Sequence, residues 1–218
     1  VAKVLAVQTE QAIPTTPALR PAVRDGVAGN ARLTGGAAAL LLVLLALEGM
    51  TIPFVGRLVG PHIFIGMLLI PPALLKLAST GYRFARYYTG DPPYRRKGPP
   101  APAMRLLAPG VVATTVALFA TGVWLLIEGP PKNSAIVFLH KASFIAWFVL
   151  MSVHVLGHLL EVPRLAMPDW RRAGGREAAL AGSGLRVSLL AASVLAGLVL
   201  AVATLPLAAP WVSAQLGG

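Results

Sequence analysis

Runs of about twenty consecutive apolar residues, the length that carries a helix across roughly 30 Å of hydrocarbon, recur along this chain. The stretch Gly36–Val55 contains a single ionisable residue, Glu48. In lipid every backbone N–H and C=O must be satisfied within the protein, so only helices and closed barrels can span it. The runs are continuous rather than alternating, which points to helices. Composition agrees: 56% hydrophobic, 12% charged and mean hydropathy +0.72 are values far from those of a soluble domain. The chain has no cysteine, which excludes disulfides, thiolate metal sites and covalent c-type heme attachment.

The pattern predicts an all-α, polytopic transmembrane helix bundle of about five spans. They cover Gly36–Val55, His62–Thr80, Leu106–Ile127, Ala135–Leu160 and Val187–Val212. Pro71 and Pro72 interrupt the second, where a kink is expected. The first thirty-five residues (1–35) lack the features of a signal peptide and, with Pro14, Pro17 and Pro21, read as a flexible extramembrane tail. A four-span core follows at 36–161, a basic loop at 162–186, and the fifth span with the C-terminus at 187–218. Short connections at Gly56–Pro61 and Glu128–Ser134 make spans one and two, and spans three and four, antiparallel neighbours.

Net charge is +11, but the basic residues border apolar runs, which argues for a positive-inside bias and against nucleic acid. Lys3, Arg20, Arg24 and Arg32 precede span one. Arg83, Arg86, Arg95, Arg96, Lys97 and Arg105 follow span two; Arg164, Arg171, Arg172, Arg176 and Arg186 follow span four. The opposite side has Arg57 and Lys132, with Lys141 just inside span four. The expected topology therefore has a cytoplasmic N-terminus and an outer C-terminus in a bacterial inner membrane. Phe54, Trp124 and Trp211 read as outer-interface anchors.

All four histidines lie in or at the edge of these spans, and an ionisable group within the bilayer is by default a functional candidate. His62 begins span two and His140 lies one turn into span four, both near the outer face. Fourteen residues further along each helix, about 21 Å on an ideal helix, stand Lys76 and His154. Fourteen steps return a side chain to within about 40° of its starting direction. Level-matched histidines on facing helices are what a bis-imidazole heme requires, one axial ligand from each side of the macrocycle. Gly66, Ser143 and Ala146 would leave it room.

The runs PHIFIGMLLIPPALLKL and LHKASFIAWFVLMSVHVLGHLLE resemble the heme-b membrane cytochromes of the bacterial cytochrome b561 kind, whose design is shared by anchor subunits of respiratory molybdenum and hydrogenase enzymes. The resemblance covers about Gly36 to Glu161, and its most specific element is the pair of histidines separated by thirteen residues, His140 and His154. It implies a four-helix core holding one or two b hemes that pass electrons between a quinone pool and a partner redox protein. The iron ligands it implies are His62, His140 and His154. Lys76 stands where such proteins carry a further histidine.

Other groups leave alternatives open. Lys76 is either a neutral amine ligand or a snorkelling cation paired with a propionate or Glu161. His158 is too close to His154 on one helix to serve the same iron and suits a quinone, propionate or proton-relay contact. Glu48 is either an acid bonded to a neighbouring helix or a proton-handling group. Arg83 and Arg86, among Tyr82, Tyr87, Tyr88 and Tyr94, form either an interfacial collar or propionate contacts. Met50, Met67 and Met151 read as packing residues. Different in class are a heme-free transporter or channel subunit, with these polar groups lining a pathway, and a structural anchor for a soluble partner.

Overall fold

A computed structural model describes residues 21–99, 102–130, 135–158 and 182–216. Among these residues the regular secondary structure is all helical, without strands. Helix α1 is Pro21–Thr51; a 3-10 turn, Ile52–Phe54, leads into α2, Val55–Tyr88. A six-residue α3, Pro92–Lys97, precedes α4, Pro102–Glu128, and α5, Ala135–His158. The last two helices are α6, Ser183–Ala203, and α7, Leu205–Leu216. Four helical stretches are long and apolar enough to cross a membrane. The first of these, Gly26–Tyr88, is 63 residues long and folds back on itself at the 3-10 turn.

Side-chain contacts define how the helices pair. Thr51 meets His62 beside the turn, while Asn30 donates to the Ser79 carbonyl (3.0 Å) far from it, so α1 and α2 are antiparallel. In the second hairpin Thr121 meets His140 near the connection, and the Trp147 indole N–H donates to Thr115 Oγ1 (3.0 Å) further along. A Cβ on Gly157 would strike the Met104 side chain at the other end of this α4–α5 pair. Helix α6 lies along α2, where a Cβ on Gly197 would collide with the Leu68 carbonyl. Small residues at such crossings let helix backbones approach closely.

Helix α2 is therefore central, packed against α1, α6, α7 and, more lightly, α4. The two hairpins join through buried Met67, Leu126, Ala201 and Ala208, backed by Ile63, Phe64, Val123 and Leu200. Helix α5 packs substantially only on α4 and has no buried residue. Its Phe138, Ile145, Phe148 and Leu156 are 57–73% exposed. So much uncovered apolar surface on a long helix suits a lipid-facing position.

Three expectations change. Residues from Pro21 onward, read as part of a flexible tail, are helical. Asn30 and Thr34 bond to α2, and Gly29 packs beside Arg186 of α6, so polar contacts rather than apolarity extend the helix. Helix α2 runs through Pro71 and Pro72, Pro72 being fully buried, and its only non-helical residue is Leu58 (φ −115°, ψ 27°). The fifth apolar run is not one helix: it breaks at Thr204. Pro206 has no N–H and its ring would press on the Val202 carbonyl, which is sufficient to end α6 there. Of the basic loop expected at 162–186, residues 162–181 lie outside the described residues, as do Glu161 and Lys132; Arg186 is buried in α6.

Candidate functional site

The bundle has two ends, a hairpin end beside the 52–54 turn and the α4–α5 connection, and a collar end where α2 meets α3. At the hairpin end, His62 of α2 and His140 of α5 face each other with ring centroids 6.5 Å apart and planes at 80°. Two imidazoles bound on opposite sides of one metal, each at about 2.0–2.1 Å through nitrogen, hold their ring centres about 6 Å apart. The observed separation is close to that value.

Each ring is oriented by its Nδ1. His62 Nδ1 lies 2.8 Å from Glu48 Oε1 and 3.0 Å from Thr51 Oγ1. The Thr51 hydroxyl donates its own hydrogen to the Glu48 carbonyl (2.6 Å), so towards the imidazole it is an acceptor. His140 Nδ1 lies 3.0 Å from Thr121 Oγ1, which donates to the Ala117 carbonyl at 2.8 Å. With acceptors facing both Nδ1 atoms, the network assigns the proton to Nδ1 and the lone pair to Nε2 in each neutral ring. Metal-binding histidines are held in this way, the second nitrogen donating to a carboxylate, carbonyl or other acceptor.

Helix geometry explains why these groups meet. Glu48 and Thr51 are three residues apart on the last turn of α1, hence on one face. The tight 3-10 turn then brings that face onto the beginning of α2. Gly66, one turn beyond His62, has its bare side 3.7 Å from Glu48 Oε1, so its smallness serves the α1–α2 contact. Gly122 is more directly placed: a Cβ there would approach His140 Cε1 to 3.2 Å. No hydrogen-bonding role singles it out in the sequence, but its lack of a side chain lets the ring lie against α4.

At the collar end the matched residues are held differently. Lys76 Nζ donates to the Thr34 carbonyl of α1 (3.1 Å), and the Thr34 and Ser79 hydroxyls are 3.0 Å apart. The amine is thus committed to the α1 side of α2. His154 is near enough to Lys76 to interact electrostatically, but its Nδ1 is buried and has no hydrogen-bond partner among the described residues. His158 stacks at a tilt beside it, centroids 4.9 Å apart.

Arg83 donates to the Gly98 carbonyl (3.4 Å), and Arg86 forms an ion pair with Asp91 while lying over the Tyr82 ring. Both arginines brace the α2–α3 corner. Tyr94 is buried there, edge-on to Tyr82. Burial pushes its hydroxyl above its ordinary pKa, Tyr82 adds to the shift, and Arg86 opposes it.

Among the described residues no three His, Asp or Glu side chains cluster so as to hold a bare metal ion. The His62–His140 pair offers two nitrogens, the number that a flat tetrapyrrole leaves open on its iron. Compared with family models, curated proteins and solved structures, the chain matches none of them.

Proposed function

We propose that this protein is a multi-pass inner-membrane electron carrier in which His62 and His140 hold one b-type heme near the outer face. The observation that carries the reading is the pair of imidazoles on separate helices, 6.5 Å apart, each with its Nδ1 anchored to an acceptor. The donor set fits the group: two neutral imidazoles from opposite sides, at a spacing that accommodates one iron between them. When bound, heme supplies one-electron chemistry at its iron. His62 and His140 would supply the nitrogens that hold it, with their rings oriented by Glu48, Thr51 and Thr121.

The chain crosses the membrane five times in this reading, with α6 and α7 together making the last crossing. Lysine and arginine counts support a cytoplasmic collar end. We assign the site one heme rather than two, because Lys76 is directed to α1 and His154 lacks an orienting partner. His154 and His158 then serve the inner side, where a quinone or partner redox protein would exchange electrons. The heme-free transporter reading has less support: Asn30, Thr34, Lys76 and Ser79 bond one another or nearby carbonyls across α1 and α2 instead of lining a continuous path.

The test is a reduced-minus-oxidised spectrum and a heme assay on the full chain purified from heme-sufficient cells. The expected result is b-type bands with one heme per chain. A preparation lacking these bands would overturn the assignment.

A further inference from the structure

We infer that the two imidazoles are held unequally and that Glu48, acting through His62, is the positioning residue that sets the redox potential of the site; this inference rests on the heme-ligation reading. His62 Nδ1 faces a carboxyl oxygen at 2.8 Å, whereas the partners of His140 are neutral, the Thr121 hydroxyl 3.0 Å from its Nδ1 and the Leu118 backbone. These acceptors differ in kind. A carboxylate draws an imidazole N–H far more strongly than a hydroxyl does, and a strong acceptor on the distal nitrogen raises the basicity of the metal-binding one. A more basic axial ligand stabilises the oxidised iron and lowers its potential.

The surroundings concentrate this effect on one ring. Glu48 Oε2 is buried and has no hydrogen-bond partner among the described residues, so among them the carboxyl group bonds through Oε1 to His62. The Glu48 side chain is only 14% exposed and that of His62 25%, which limits the water that would weaken the contact. Thr51 shares the same N–H and competes with Glu48 for it. A purely structural acid would satisfy both oxygens on its own or a neighbouring backbone. Among the described residues, Glu48 instead directs its side-chain hydrogen bond to the imidazole.

The experiment is a redox titration of the purified, heme-loaded full chain, following the reduced band in wild type, Glu48→Gln and Thr121→Val. Glu48→Gln, which preserves shape but weakens the acceptor, is expected to keep its heme and shift the midpoint potential upward. Thr121→Val is expected to shift it less. A heme-loaded Glu48→Gln protein with the wild-type potential, or a larger shift from Thr121→Val, overturns the inference. Should Glu48→Gln lose its heme, Thr51→Val decides the matter: freeing the N–H for Glu48 should lower the potential, and an unchanged or raised value overturns the inference. Wild type without heme would instead overturn the ligation reading, and this inference with it.

Discussion

The hairpin end and the collar end of this bundle carry the same sequence motif and build different things from it. On α2 and α5 the polar residues recur at fourteen-residue intervals, His62 with Lys76 and His140 with His154. At the hairpin end both imidazoles face one another and both are clamped at Nδ1. At the collar end the lysine turns to a carbonyl of α1, and the histidine opposite has a buried nitrogen without a partner among the described residues. Equal spacing along two helices thus does not make two equal sites. What separates them is the set of orienting groups that neighbouring helices contribute.

The largest expected effect tests that contrast directly. His62→Ala and His140→Ala should each abolish heme binding, whereas His154→Ala should leave one heme per chain, all measured by pyridine hemochrome assay. Heme loss in His154→Ala at the same level would erase the distinction between the two ends.

Clamping itself is tested by Thr121→Val, which removes the hydroxyl acceptor of His140 without changing bulk. Heme affinity should fall by about 10–100-fold, the range for losing an outer-shell partner of a metal ligand. Titration of apo protein with hemin reads this out, and undiminished affinity would mean that the hydroxyl does not orient the ring.

Lys76→Met sharpens the other side of the comparison. It removes the bond to the Thr34 carbonyl and should cost about 1 kcal/mol of stability in detergent, with heme content unchanged. A halved heme content would show instead that the amine serves an iron.

The smallest effect lies in the corner beyond the collar-end site. Removing the exposed Arg86 breaks its pair with Asp91, an interaction of about 0–1 kcal/mol. Because Arg86 holds the Tyr94 hydroxyl down against burial, Arg86→Ala should raise the Tyr94 pKa further. An ultraviolet tyrosine titration against Tyr94→Phe reads the sign, and a fall would contradict the assigned geometry.

Much of the fold is legible before any coordinates. Leu106–Ile127 sits within α4, Pro102–Glu128, and the run from Ala135 begins α5 at the same residue. Apolar length and bounding Gly, Pro and charge suffice there, because an isolated backbone in lipid has only the helix available. The same logic fails at Thr204, where apolarity continues while Pro206 stops α6, even though α7 then runs through Pro210. It fails again at Asn30–Thr34, where polar side chains are helical because α2 supplies their partners. Of the site, His62, His140 and Glu48 are readable as polar groups in apolar surroundings. Thr51 and Thr121 carry no such mark. The available signal is level: antiparallel helices joined by a short connection bring Thr51 near the depth of His62 and Thr121 near the depth of His140.

What the sequence by itself determined is the helical class, the hairpin order of the first four long apolar helices and the axial level of each histidine on its helix, since these depend on local composition, helical rise and loop length. Only the tertiary structure decided which nitrogen of each imidazole is held and which is free to bind. That choice depends on which side chains α1 and α4 turn toward α2 and α5. Helix rotation about its own axis, set by small-residue contacts such as Gly122 against His140, is not encoded in any one segment.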